Sequence, residues 1–310
     1  MYYKLFNDNT YYEFYTINKL DTLNNKNNIE LISFSYNQLT QLPELPNNLI
    51  DLYCSYNQLT QLPQLPNSLK SLYCSNNQLT KLPQLPSNLK ELYCRNNILT
   101  LLPQLSNSLN NLNCYSNQLT ELPQLPDSLI ELYCDNNLLI QLPQLPYSLK
   151  SLYCYNNQLT ELPELPDSLK RLYCYHNQLT KLPTLPNNLE YLHCSNNQLT
   201  ELPELPDSLK RLYCYHNQLT KLPTLPNNLE YLHCSNNKLT ELPPLPNNLN
   251  DINCSKNLYK YIIHCKSLFY YKKYNKYKYL NTLNELLNYN IKNYYYFRIF
   301  KYYDIIKQYY

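Results

Sequence analysis

The chain has 310 residues and a formal net charge of +3, with 36 tyrosines, 22 prolines, 12 cysteines and no glycine or tryptophan. Without glycine the usual phosphate-binding loops are excluded, because their tight turns need a residue free of Cβ. Nowhere is there the run of about 18 apolar residues that a membrane-spanning helix needs, and the opening stretch lacks the apolar segment of an export signal; a cytoplasmic location is expected.

Asn, Tyr, Lys and Ile abound, as AT-rich coding would give, yet proline keeps to two fixed places in a repeat. The charge is unevenly divided. Residues 1–255 carry 15 Lys+Arg against 21 Asp+Glu, net −6, and residues 256–310 carry 11 against 2, net +9.

At the start, the aromatic-rich runs Tyr2 to Phe6 and Tyr11 to Ile17 flank Asn7-Asp8-Asn9, which predicts a hairpin turning at polar residues. Ile17, Leu20 and Leu23 then recur at helical spacing. Residues 1–28 are read as an N-terminal cap, since the end of a repeat array exposes a hydrophobic cross-section. The alternative for this segment is an adaptor-binding N-terminal module.

From Ile29 to Asn257 one 20-residue unit runs eleven times and begins a twelfth copy. Its reference form is Leu49-x-x-Leu52-x-Cys54-x-x-Asn57-x-Leu59-x-x-Leu62-Pro63-x-Leu65-Pro66, restarting at Leu69. The alternation around Cys54 has strand period, with Leu52 and Cys54 inward and Asp51, Tyr53 and Ser55 outward. Pro63 and Pro66 would each remove a helical donor, so the return segment should be extended. One unit cannot fold alone; stacking seals the leucine ladder and pairs the strands. The asparagine at 57 and every twentieth position after it sits where the chain leaves the strand, and its amide can both donate to and accept from backbone. Departures from the consensus are Phe34 for Cys, Ser106 for the second Pro and Ile140 for Thr. Residues 161–200 and 201–240 are identical except for Gln198 against Lys238, the mark of a duplicated two-repeat block.

This pattern, with cysteine in the third leucine slot, is the leucine-rich-repeat signature. The run Leu62-Pro63-Gln64-Leu65-Pro66-Asn67-Ser68-Leu69 resembles the short repeats of bacterial type III effectors, and the composition is similar to leucine-rich-repeat proteins of giant DNA viruses that infect amoebae. The resemblance implies a curved solenoid with a concave parallel sheet, an extended convex side and small caps at both ends. If the chain is viral, its cytoplasm would be the host's. Some bacterial effectors carry a C-terminal ubiquitin ligase with a Cys-x-Asp motif; here the one non-repeat cysteine, Cys265, is followed by Lys266-Ser267, and the ligase is not carried over. A ubiquitin-ligase adaptor remains an alternative.

Eleven cysteines, Cys54 to Cys254, occupy one inward column. In-register strands would stack them about 4.8 Å apart instead of converging them on one centre, so they are expected to be reduced, buried and unmetallated. His176, His193, His216 and His233 arise by the duplication and have no carboxylate at ligand spacing in the sequence. No nucleophile, acid pair or cofactor motif is present; no enzyme, metal or cofactor is expected.

The outward strand positions vary from repeat to repeat while keeping a tyrosine theme. Between residues 151 and 235 they gather Arg171, Tyr191, Arg211 and Tyr231 in a first row, Tyr153, Tyr173 and Tyr213 in a middle row, and Tyr155, Tyr175 and Tyr215 in a third. The first half presents Asp51, Ser71, Glu91 and Asp135 instead. Tyrosine and arginine are the residues that concentrate binding energy at interfaces, so these ten are the candidate partner-binding residues. An aromatic stack that only stabilises the sheet is the competing reading.

Residues 258–310 form a Tyr/Lys-rich cap or tail. Leu280, Leu283, Leu286, Leu287 and Ile291 recur at helical spacing, while the Tyr/Lys alternation suits an anionic surface or nucleic acid. The sequence thus describes a non-enzymatic protein-binding solenoid, with nucleic-acid binding by the tail, or an array under little functional constraint, as alternatives. It specifies neither the partner's identity nor an oligomeric state.

Overall fold

The computed structural model describes residues 3–7, 10–14 and 29–258. The strands among them form a single 14-stranded sheet. β1 (Tyr3–Asn7) pairs antiparallel with β2 (Thr10–Phe14), from Tyr3 opposite Phe14 to Asn7 opposite Thr10, so the expected hairpin forms. β1 also pairs antiparallel with β3 (Leu31–Ser33), which places the hairpin along the first edge of the array. The helical spacings at Ile17 to Leu23 and at Leu280 to Ile291 lie outside the described residues.

From β3 the strands are three residues long and recur every 20 residues, from β4 (Asp51–Tyr53) to β14 (Asp251–Asn253). They are parallel and in register, with Asp51, Leu52 and Tyr53 opposite Ser71, Leu72 and Tyr73. The short strands do not end the pairing between turns. Cys54 N donates to Tyr73 O at 2.7 Å, Tyr56 N to Ser75 O at 3.0 Å and Lys70 N to Ile50 O at 2.8 Å. Among the described residues there is no helix, and no helix is long and apolar enough to cross a membrane. The return segment is extended, as two prolines without N–H groups require, and it closes through a turn in which Leu69 N donates to Pro66 O at 3.1 Å.

Burial follows the repeat. Leu52, Cys54, Leu59, Leu62, Leu65 and Leu69 point inward, and their equivalents build one continuous core along the array. Two departures from the consensus have a local account. Phe34 is buried in the first turn in place of cysteine. Ser106, in a proline slot, is also buried, and its hydroxyl donates to Ser87 O at 2.6 Å and accepts from Ser108 N at 3.1 Å. Ile140, in the threonine slot, is exposed.

Each ladder asparagine binds backbone of its own turn and of the turn before. Asn57 Nδ2 donates to Cys54 O at 3.1 Å and to Phe34 O at 2.9 Å, while its Oδ1 accepts from Leu39 N at 3.1 Å. A second feature has no counterpart in the sequence pattern. The residue before each ladder asparagine is left-handed, from Tyr36 at φ 60° to Lys256 at φ 54°. In most proteins glycine would serve there; this chain has none. Six of these twelve positions are instead asparagine, which tolerates that region better than other side chains. His176 and His216 occupy two of the others, where the backbone turns after the strand.

Candidate functional site

The concave face is built by β9 (Ser151–Tyr153), β10 (Arg171–Tyr173), β11 (Tyr191–His193), β12 (Arg211–Tyr213), β13 (Tyr231–His233) and the residues that follow each strand. All ten candidate residues lie on it. Parallel strands at about 4.8 Å bring equivalent side chains to stacking distance. Tyr153 stacks on Tyr133 and on Tyr173, each at 4.4 Å, and Tyr155 stacks on Tyr175 at 4.3 Å. The first half holds a shorter stack, Tyr53 on Tyr73 at 4.5 Å and Tyr73 on Tyr93 at 4.8 Å. Rings packed face to face are half-buried, so the tyrosines present ring edges to solvent. Burial pushes the phenols of Tyr153, Tyr155, Tyr175 and Tyr213 up, which keeps them neutral hydrogen-bond donors.

On β11 the aromatic rings step sideways by one row. Tyr191 belongs to the first row by sequence, yet its ring stacks on Tyr173 at 4.5 Å and approaches Tyr213 at 5.5 Å, filling the middle row between them. His193 belongs to the middle row, and its ring stacks on Tyr175 at 4.2 Å and comes to 5.7 Å from Tyr215, filling the third. Ser195 lies beneath and is buried. The steps make the aromatic surface continuous where serine and histidine would have broken it. They also leave the first row to Arg171 and Arg211, both exposed. The Arg211 guanidinium lies 4.6 Å from the centre of the Tyr231 ring.

His193 is neutral in this setting. Burial, and then the His176 and His233 charges, lower its pKa to about 4. His193 Nε2 and Ser195 Oγ are buried with no protein partner among the described residues. His233 differs from the sequence expectation that the histidines lack a carboxylate, because its Nε2 is 2.8 Å from Asp251 Oδ2 on the next strand.

In the acidic half one expectation is overturned. Asp135 is not presented to solvent: it is 2% exposed, and Asn136 Nδ2 donates to its Oδ2 at 2.8 Å. Burial raises its carboxyl pKa, opposed by hydrogen bonds from Tyr155 and Asn136. Glu91 accepts the Tyr73 hydroxyl and Glu131 that of Tyr133 at 3.3 Å, so tyrosines hold these acids too.

The cysteine column from Cys54 to Cys234 is free and buried. Burial pushes these thiols up, those of Cys94, Cys194 and Cys234 to about 12. Cys134 Sγ donates to Tyr153 O at 3.4 Å. Cys254 corrects the expectation that every repeat cysteine is reduced, since it is disulfide-bonded. It follows the last described strand, β14, and is the last cysteine of the column. Among the described residues no group of three or more His, Cys, Asp or Glu side chains could hold a metal ion.

Residues 47–87, 147–187 and 187–227 match the family described as Leucine Rich repeats (2 copies), and residues 228–257 match Leucine Rich Repeat. Among solved structures, YopM from Yersinia enterocolitica is 44% identical, over 73% of this chain and 55% of its own, with a TM-score of 0.63. The leucine-rich effector protein YopM from Yersinia pestis is 35% identical, over 74% of this chain and 84% of its own, with a TM-score of 0.50. The functional domain of InlJ from Listeria monocytogenes, which includes a cysteine ladder, is 30% identical, over 67% and 49%, with a TM-score of 0.56. The chain therefore spans only about half the length of the first and third of these. A search of curated proteins gave no match. The 20-residue period, the parallel in-register sheet and these likenesses agree: the chain belongs to the leucine-rich-repeat proteins.

Proposed function

We propose that this chain is a non-enzymatic protein-binding module and that its partner docks on the concave sheet between residues 151 and 235. The observation that carries the reading is the continuous aromatic surface from Tyr153 to Tyr213, bordered by Arg171 and Arg211. Stacking accounts for the ring faces, the Tyr155 hydroxyl binds Asp135 and the Arg211 guanidinium rests on Tyr231, yet both guanidinium groups stay exposed beside the row of ring edges. Aromatic residues and arginine are what interface hot spots are made of. The similar Yersinia pestis protein is a leucine-rich effector, which supports this reading. The acidic first half would steer or exclude.

The test uses the full chain as bait in a cell lysate. Arg171→Ala with Arg211→Ala, and separately Tyr173→Ala with Tyr213→Ala, should each abolish capture of a partner that the parent retains. The arginine pair is the cleaner variant, because exposed side chains can be removed with little loss of stability. Charge reversal in the tail, Lys272→Glu with Lys273→Glu, should leave capture intact. If the tail variant loses the partner and the concave variants keep it, the tail is the binding element.

A further inference from the structure

Building on the concave-face reading, we infer that the partner segment is an acidic stretch in the polyproline II conformation, lying along the solenoid axis with a carboxylate at every third residue. The duplicated block carries the inference. It places the same set, Arg171-Tyr173-Tyr175 and Arg211-Tyr213-Tyr215, on two strands separated by one turn. At about 4.8 Å per strand the two sets repeat every ~9.6 Å. A polyproline II helix has three residues per turn and a rise of about 3.1 Å, so equivalent side chains recur every ~9.3 Å on one face. An extended strand repeats on one face at about 6.8 or 13.6 Å, and an α-helix at about 10.5 Å over two turns. Neither matches as closely.

Charge and hydrogen bonding point the same way. Lys150, Lys170 and Lys210 are exposed on the residues that lead into β9, β10 and β12, on the same border as the arginines. Glu190 engages Lys210 at 2.8 Å and Lys170 at 3.9 Å. Among the described residues neither arginine is paired with a carboxylate. The face of a sheet offers side chains and no free strand edge, so a ligand gains no backbone pairing from it. A proline-rich segment has few N–H groups to leave unpaired, and its carbonyls can accept from the tyrosine hydroxyls. Aromatic-lined surfaces dock such segments. The sideways step of Tyr191 removes its ring from the first row and leaves a seat between the two arginines for the residues that separate successive carboxylates.

The probe is a dye-labelled Glu-Pro-Pro repeat of about 15 residues, roughly 45 Å of polyproline helix, titrated against the full chain by fluorescence anisotropy. Two controls carry the same number of glutamates: a permuted peptide with its glutamates clustered at one end, and a helical peptide with a glutamate every seventh residue. The in-phase peptide should bind about tenfold more tightly than either, and Arg171→Ala or Arg211→Ala should each weaken it several-fold and erase the preference for phase. Equal binding of all three peptides, still dependent on the arginines, would overturn the inference and leave the concave face as the binding surface. Binding indifferent to both arginines but lost with Lys272→Glu and Lys273→Glu would overturn the concave-face reading as well. No binding of the in-phase peptide at millimolar concentration, with the lysate partner still captured through the concave face, would also refute the inference.

Discussion

Asn137 Nδ2 donates to the carbonyl of Cys114, in the preceding turn, at 3.1 Å. The same amide nitrogen donates to Cys134 O at 3.1 Å, and Oδ1 accepts from Leu119 N at 3.0 Å. Removing the amide strands Leu119 N, while Cys114 O keeps the Asn117 amide and Cys134 O the Asn157 amide; an unpaired buried backbone group costs about 1 to 3 kcal/mol. Asn137→Leu should therefore cost about 1 to 3 kcal/mol in urea unfolding. Asn257 makes equivalent bonds but is less buried, and Asn257→Leu should cost distinctly less because water can replace it. Equal losses at both positions would show that burial is not what gives the ladder its value.

The left-handed residues store strain that can be relieved. At His216, φ is 52°, where a side chain with Cβ loses about 1 kcal/mol relative to glycine. His216→Gly should raise stability by about 0.5 to 1 kcal/mol, and His216→Val should lower it by about 1 to 2 kcal/mol, since a β-branched residue fits that region worst. Thermal unfolding of the two variants beside the parent decides it; the prediction fails if valine is tolerated.

Alkaline pH should destabilise the array through its thiols. In the unfolded chain cysteine ionises near pH 8.5, whereas in the folded chain Cys94, Cys194 and Cys234 hold their protons to about pH 12. Between those values the unfolded state binds fewer protons, so stability is full below about pH 8.5 and falls as pH rises, by about 1.4 kcal/mol per pH unit for each such cysteine. Changing these three to alanine should flatten the decline between pH 9 and 11 by roughly 4 kcal/mol per pH unit. Tyrosine titration is common to both proteins and cancels in the comparison.

On the acid side the sensitive group is His193, whose pKa is lowered to about 4 by burial and by the His176 and His233 charges. An unfolded histidine protonates near pH 6.5. Its contribution is thus present above about pH 6.5 and is lost as pH falls towards 4. His193→Phe keeps a ring between Tyr175 and Tyr215 and cannot be protonated. Its unfolding free energy should vary less between pH 6.5 and 4 than the parent's; an identical pH profile would place the acid sensitivity elsewhere.

The period, the inward leucines and cysteines and the asparagine ladder were legible because each recurs at a fixed offset and follows from local geometry. The hairpin at Asn7-Asp8-Asn9 was legible for the same reason. The left-handed position was hidden, since its usual marker is glycine and here asparagine, histidine, serine, tyrosine and lysine share the task. At the candidate site the rows were read correctly from strand alternation, but their filling was not. Tyr191 and His193 lean across because the smaller neighbours Ser195 and His193 leave room, and that depends on side chains 20 residues away on either side. The burial of Asp135 by Asn136 and the next turn's Tyr155, and the meeting of His233 with Asp251, are of the same cross-turn kind.

The asparagine ladder also gives the array a direction in time. Asn57 closes the turn that holds Phe34 and Leu39, and Asn137 closes the turn that holds Cys114 and Leu119. A turn leaving the ribosome therefore keeps an N–H group, such as that of Leu39 or Leu119, unsatisfied until the asparagine of the following repeat has been synthesised. The array consolidates one repeat behind its own synthesis, each new asparagine acting as the latch on what was made before it. Truncation within the array would leave its last complete turn unlatched, so the C-terminal end is where fraying begins.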